Sequence, residues 1–253
     1  ILETGSDILF FWVARMVMLG KYLTGTLPFN QILLHAMVRD AYGRKMSKSL
    51  GNVIDPVDVI EGCTLEALQA QLDGGNLDAA EVVLAKAGQK RDFPHGIPEC
   101  GTDALRFALC SYVAQGRDIN MNITRVEGYR RFCNKLWNAM KFALMKLGAD
   151  YRGPVKELQI SEILVAAPLP VDLWMLAKVA RAADACNKNF ASFNLMNVTT
   201  AVHQLWLYEL CDVYIEAVKP VLASQQSSRD VLFYTLEQGL KLLSLPREVG
   251  KHP

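Results

Sequence analysis

The chain has 253 residues, 51% hydrophobic and 21% charged, with a formal net charge of +1. That composition excludes a disordered, collagenous or coiled-coil protein and favours two domains over one, since single cores stop growing near roughly 250 residues. The near-neutral charge excludes a global field that recruits polyanions, so any phosphate or nucleic-acid site must be a local cluster of Lys and Arg.

Ile1-Leu2 reads as the end of a strand and Gly5-Ser6-Asp7 as a tight turn, with Ser6 or Asp7 capping a buried apolar helix from Ile8 until Gly20 ends it. Gln31 to Val38, entered through Pro28, is predicted as a strand leaving into the turn Asp40-Ala41-Tyr42-Gly43, after which comes a basic, hydroxyl-rich loop. Asp55-Pro56 is an N-cap followed by proline at the first helical position, so a short helix is predicted from Val57 toward Ile60. Thr64 to Gln89 reads as a helical hairpin around Gly74-Gly75, part of an insertion at about 63–97 that ends in the irregular stretch Phe93 to Pro98. Thr102 is expected to cap a further helix that Gly116 stops. Strands alternating with helices over residues 1–120 imply a parallel α/β sheet.

Residues 121–253 read as all-α. Thr124-Arg125-Val126-Glu127 has the spacing of a capping box and opens a long helix that Gly148 closes. On it Tyr129, Phe132, Cys133, Leu136, Met140, Ala143, Leu144 and Leu147 share one face, while Arg131, Lys135, Asn138 and Lys141 line the other. Gly153 to Pro170 is a proline-punctuated linker, and helices at about Asp172–Asn189, Asn194–Lys219 and Arg229–Leu243 complete a bundle.

The six cysteines, Cys63, Cys100, Cys110, Cys133, Cys186 and Cys211, show no CxxC and no Cys/His pairing at zinc spacing, so they read as small buried hydrophobes of a reducing compartment. The longest nearly apolar run, Ile8 to Leu19, contains Arg15 and falls short of the about 20 residues that cross a bilayer. Ile1-Leu2-Glu3 has neither the basic start of a signal peptide nor an initiator Met, which suggests a partial chain.

The segment Gly43-Arg44-Lys45-Met46-Ser47-Lys48-Ser49-Leu50-Gly51-Asn52 follows the carboxyl end of the predicted strand, where open α/β sheets bind ligands. Its cations, Arg44, Lys45 and Lys48, with two serine hydroxyls and flanking glycines, suit phosphates whose charge grows during a reaction. The alternative is a solvated basic turn or a phosphorylation site; a Walker A loop is excluded by the absence of GxxxxGK[ST]. His35, in the preceding strand, reads as a hydrogen-bonded core residue before a catalytic one, and His95 and His203 have no partners at metal spacing.

Lys45-Met46-Ser47-Lys48-Ser49 is identical to the KMSKS signature of class I aminoacyl-tRNA synthetases. With the run from Glu3 to Met16, Val38-Arg39-Asp40, Gly101 to Phe107 and Phe132 to Asn138, in that order, the chain resembles the valyl-tRNA synthetase family, most strongly from Ile1 to Leu147. The resemblance implies the C-terminal part of a Rossmann-like parallel-sheet catalytic domain (1–120) joined to a helical anticodon-binding domain (121–253). It implies activation of valine by ATP, which brings Mg2+, to valyl adenylate, then transfer to tRNA(Val), with no tightly bound metal.

By the same resemblance Lys45 and Lys48 become the catalytic cations on the α-phosphate transition state. Met46, Ser47 and Lys48 share the ATP/adenylate site with Gly5 and Asp7, which would hold the ribose; for these two the alternative is a plain helix cap. Trp12 matches a residue lining the valine side-chain pocket, the alternative being a buried core tryptophan. Arg131, Lys135 and Lys141 become tRNA phosphate contacts, which position rather than specify, or else an ordinary solvated helix face.

The sequence also departs from the family. It contains no His-Ile-Gly-His type signature and no editing domain, and Leu245 to Pro253 diverges from the family's continuation, so this chain by itself is expected to hold half of an ATP site. A tRNA-binding module without catalysis is the second reading, and an isoleucyl or leucyl synthetase the alternative specificity. Cytosol is the expected compartment, the mitochondrion its alternative.

Overall fold

The structure is a computed structural model that describes residues 1–74, 77–113, 118–148, 151 and 169–244. It divides into two compact units, Ile1–Tyr129 and Arg130–Pro253.

In the first unit β1 (Leu2–Gly5) pairs in parallel with β2 (Ile32–His35), Leu2 opposite Ile32 and Gly5 opposite His35. Parallel strands need a crossover. Here it starts as a 3-10 turn (Ser6–Ile8) and a π turn (Leu9–Val13), neither capped by a side chain, and becomes α1 (Ala14–Thr24). The helix does not stop at Gly20: Gly25, at a left-handed φ of 71°, ends it by donating its N–H to the Lys21 carbonyl. Gly20 serves close packing instead, since a Cβ there would lie 3.0 Å from the Pro28 ring. The predicted burial is also wrong. Val13 is buried, but Phe10 is 90% exposed and Phe11, Trp12, Met18, Leu19, Tyr22 and Leu23 are exposed, because a two-stranded sheet is too narrow to cover a helical segment that is apolar around most of its circumference.

The predicted strand Gln31–Val38 is two strands. After His35 the chain changes partner at Ala36-Met37: the Met37 carbonyl accepts the Ile119 N–H at 2.8 Å, and β3 (Val38–Arg39) pairs in parallel with β4 (Ile119–Asn120). Between β3 and β4 lie α2 (Pro56–Glu61), the hairpin α3 (Leu65–Asp73) and α4 (Ala79–Asp92), and α5 (Thr102–Tyr112). Asp55 caps α2 as predicted, accepting the Val57 N–H at 2.8 Å, and Thr64 and Asp78 cap the hairpin helices. Thr102 does not cap α5; Gly101 holds that position and donates its N–H to the Ile60 carbonyl. Gly75 and Gly116 lie outside the described residues. Val59, Leu68, Ala85, Ile97, Ala104, Leu105 and Ala108 form the buried core of these helices.

The division between units falls within α6 (Ile123–Leu147). Asn122, not Thr124, starts it, its Oδ1 accepting the Thr124 N–H at 2.9 Å, and Gly148 closes it as predicted. Phe132, Ala139, Ala143 and Leu147 are buried; Arg131, Lys135, Asn138 and Lys141 are exposed, and so is Leu144, at the rim of the apolar stripe. The linker residues 152–168 and the tail 245–253 are outside the described residues.

The predicted helices follow as α7 (Pro170–Ala191); α8 (Leu195–His203), continued by a π-helical stretch (Gln204–Tyr214) and α9 (Ile215–Val218); and α10 (Gln226–Ser244). Trp206, Tyr214, Met175, Leu205, Leu210 and Leu232 are fully buried in this unit. Among them the buried Asp172 accepts hydrogen bonds from the Tyr214 hydroxyl (2.7 Å), the Ser228 hydroxyl (2.9 Å) and the Leu169 N–H (3.0 Å), tying three helical segments to one carboxylate. All six cysteines are free; Cys100, Cys186 and Cys211 are buried, and burial pushes the thiols of Cys186 and Cys211 up to about 11. Among the described residues no helix is long and apolar enough to cross a membrane. The architecture is the expected one, α/β with parallel pairing followed by all-α.

Candidate functional site

Parallel pairing puts the carboxyl ends of β1 and β2 side by side. A Cβ at Gly5 would lie 2.7 Å from Asp7 Oδ1, 3.2 Å from Met37 Sδ and 3.7 Å from His35 Cε1, so the missing side chain is what lets these groups converge. Gly5 and Asp7 are thus brought together, and His35 joins them. His35 is exposed, not a core residue as predicted, with Nδ1 3.1 Å from the neighbouring Ala36 carbonyl. Trp12 stands on the π turn and is 55% exposed.

The signature loop leaves β3 through Asp40. Buried Asp40 accepts the N–H groups of Tyr42 (3.0 Å) and Arg44 (2.8 Å) on Oδ1, and Arg44 Nε (2.6 Å) and Asn52 Nδ2 (2.9 Å) on Oδ2. Asn52, 1% exposed, spans the loop: its Oδ1 accepts the Ser47 N–H at 2.9 Å and its Nδ2 also reaches the Lys45 carbonyl at 3.3 Å. Ser47 Oγ accepts the Leu50 N–H at 3.3 Å and caps the 3-10 turn Lys48–Leu50, which Gly51 ends at a φ of 64°. Met46 and Ser47 are half-buried in this frame.

The three predicted cations therefore split into two kinds. Arg44 is committed to structure, bonded to Asp40 and, through Nη2, to Asp92 Oδ2 at 2.9 Å, so it is not a candidate phosphate ligand. Lys45 and Lys48 are exposed, and neither ammonium has an ion pair or hydrogen bond among the described residues. Burial works to raise the pKa of Asp40, but the bonds from Asn52, Arg44 and Tyr42 outweigh it and hold the carboxyl below its ordinary value. Asp92 is held down first by its hydrogen bond from Arg91, against burial, and then by Arg44. Both carboxylates stay charged, and the frame with them.

Asp40, Asn52 and Asp92 are the residues that sequence reasoning missed. Asp40 carried a readable sign, an aspartate positioned to bond the backbone two residues on. Nothing local announces that Arg44 pairs with Asp92, 48 residues away.

On α6, Arg131, Lys135 and Lys141 are all exposed. Lys135 Nζ lies 3.3 Å from Asp212 Oδ1 and Lys141 Nζ 5.9 Å from the exposed Trp137 ring centre. Exposed pairs of this kind are worth at most about 1 kcal/mol.

Residues 1–122 match the family of tRNA synthetases class I (I, L, M and V), and residues 172–245 match the anticodon-binding domain of tRNA ligase. The chain is 56% identical over 250 residues to a valine-tRNA ligase of Homo sapiens, covering 96% of this chain and 19% of that protein. It is 54% identical over 248 residues to a mitochondrial valine-tRNA ligase of Mus musculus, covering 96% and 23%. In fold it is similar to the agnB2 LeuRS of Agrobacterium radiobacter K84 in its crystallised ternary complex with tRNA and LeuAMS, at a TM-score of 0.52 and 18% identity, over 94% of this chain and 25% of that one. The chain spans about a fifth of the length of the curated relatives it matches. With both family matches in chain order and more than half of its residues shared with these ligases, the chain belongs to the class I tRNA synthetases, within the valine-tRNA ligase family.

Proposed function

We propose that the chain serves the valine-tRNA ligase reaction of translation: a valine carboxylate oxygen attacks the α-phosphorus of ATP, pyrophosphate leaves, and the valyl group passes from the adenylate to a hydroxyl of tRNA(Val) with release of AMP. The carrying observation is the pair of uncommitted ammonium groups, Lys45 and Lys48, on a loop whose backbone is fixed by Asp40, Arg44 and Asn52. A loop backbone held in place beforehand leaves only side-chain rotation for the two ammonium groups to meet the developing phosphate charge. Met46 and Ser47 line the ATP site, ATP brings its Mg2+, Gly5 and Asp7 take the adenylate ribose, and Trp12 bounds the valine side chain. Residues 1–120 act as part of the catalytic domain and 121–253 as the anticodon-binding domain, whose Arg131, Lys135 and Lys141 meet tRNA phosphates. We place the reaction in the cytosol, with a mitochondrial form as the alternative that the murine relative keeps open.

The test is Lys48→Ala in the longest polypeptide that the gene encodes. Valine-dependent pyrophosphate exchange is expected to fall on the order of 100-fold, about 3 kcal/mol of transition-state stabilisation. The KM for valine should stay the same; equal losses in binding and rate would make Lys48 a docking residue and overturn the reading. A second reading, tRNA binding without catalysis, is favoured for the 253-residue chain alone by the anticodon-binding match at residues 172–245. That chain should then retain tRNA on a filter and show no exchange above background.

A further inference from the structure

The hairpin α3–α4 takes no part in the chemistry proposed above, yet the signature loop rests directly on it. A Cβ at Gly51 would collide with the Ala85 carbonyl oxygen, and a Cβ at Gly88 would lie 2.5 Å from the Leu50 carbonyl oxygen. Backbone therefore meets backbone at two adjacent residues, Leu50 and Gly51, at the carboxyl end of the Lys48–Leu50 turn. Asp92, the last residue of α4, adds a third point by accepting the Arg44 Nη2–H at 2.9 Å. The support is itself braced, because buried Gln89 of α4 donates to the Leu68 carbonyl of α3 at 3.2 Å. The Asp40–Arg44–Asn52 frame ties the loop to itself, through Ser47 and the Lys45 carbonyl among others; α4 backs it from outside, at Arg44 and at Leu50-Gly51.

We infer that the α3–α4 hairpin is the positioning clamp of the signature loop, with Gly88 and Asp92 as positioning residues that set the backbone place from which Lys45 and Lys48 reach the ATP phosphates. The inference rests on the ATP reading of those lysines. A cation misplaced by about 1 Å forfeits rate on the order of 100-fold while leaving distant binding contacts intact, so a hairpin that never touches substrate governs the ATP-dependent step.

Gly88→Ala and Asp92→Asn test it. Alanine is the better helix former, so Gly88→Ala strengthens α4 while pushing the loop away. Gly128→Ala, on α6 with no heavy atom within 4 Å of the added carbon, is the control. Two readouts are needed. In the 253-residue chain, tryptic cleavage after Lys45 and Lys48 should speed up about tenfold in both variants and not in the control. In the longest encoded polypeptide, kcat/KM for ATP in pyrophosphate exchange should fall roughly 10- to 100-fold with the KM for valine unchanged, a split that general loss of folding would not produce.

Unchanged cleavage in Gly88→Ala and Asp92→Asn, with helix content retained, overturns the clamp. Faster cleavage with unaltered ATP parameters, in an enzyme that Lys48→Ala does impair, overturns its role in positioning. If Lys48→Ala also leaves exchange intact, the ATP reading itself falls, and this inference with it.

Discussion

Trp206, Tyr214, Met175, Leu205 and Leu232 are fully buried in the second unit, whereas the largest fully buried side chains described in the first are the valines Val13, Val59 and Val126. The second unit takes its shape from apolar packing of long helices, with one buried carboxylate, Asp172, satisfied from three sides. In the first unit the signature loop is shaped by charge-assisted hydrogen bonds around Asp40 and Asp92 and by glycine contacts that bring backbones together. Order obtained this way leaves side chains such as Lys45 and Lys48 outward and available. The unit with the larger buried side chains carries no candidate catalytic group, and the one with the smaller carries them all.

The sharpest way to break this comparison is Trp206→Ala. The ring is buried, touches Gly239 closely enough that a Cβ there would lie 2.9 Å away, and donates Nε1–H to the Gly239 carbonyl at 3.2 Å. Its loss should cost the second unit about 3–5 kcal/mol, read from urea unfolding followed by helix circular dichroism. A loss below about 1 kcal/mol would mean that the core is less decisive than its burial indicates.

Acid sharpens the other side. The folded pKa values of Asp40 and Asp92 lie below the ordinary 3.8, so their contribution to the frame is complete above that value and is lost as the pH falls through the lower folded values. The side-chain N–H resonances of Arg44 and Asn52 should therefore persist at pH 3.8 and broaden only below it. Loss at higher pH would show that these carboxylates are not held by the bonds described.

The smallest effect concerns Arg131, Lys135 and Lys141. Replacing each by Gln should lower the salt slope of tRNA binding by about 0.7–0.9 per contact and weaken all tRNAs alike. Filter binding across a salt series reads this directly, and unaltered slopes would return the stripe to a solvated face.

Much of the frame of both units was legible in the sequence. Asp55-Pro56 announced a helix start by side-chain chemistry, Gly148 announced a stop, and the 3.6-residue repeat placed Phe132, Ala143 and Leu147 inward with Lys135 and Lys141 outward. Gly20 misled because glycine marks both a helix end and a close approach, and only the position of Pro28 distinguishes them. Thr102 and Thr124 misled by one or two residues, since neighbouring Gly101 and Asn122 took the cap positions. The Ile8 to Leu19 run misled because apolarity shows what a segment prefers and not whether a partner surface covers it.

At the site, the sequence displayed the cations of the loop but not their partners. Arg44, Lys45 and Lys48 are equivalent as letters, and the distant Asp92 makes one of them structural. Gly5 and Asp7 converge with His35 through strand pairing, a long-range fact that no local pattern contains.

The backbone of the signature loop is held in place while its two lysines are not. Residue-resolved hydrogen exchange by NMR on this chain tests it most directly. The Ser47 N–H, bonded to Asn52 Oδ1, and the Gly51 N–H, bonded to the Lys48 carbonyl, should exchange slowly. Asn52→Ala should release the Ser47 amide and leave the amide of Leu210, in the core of the second unit, as slow as before. Ser47 and Gly51 amides that exchange at open-chain rates in the unaltered protein would contradict the account.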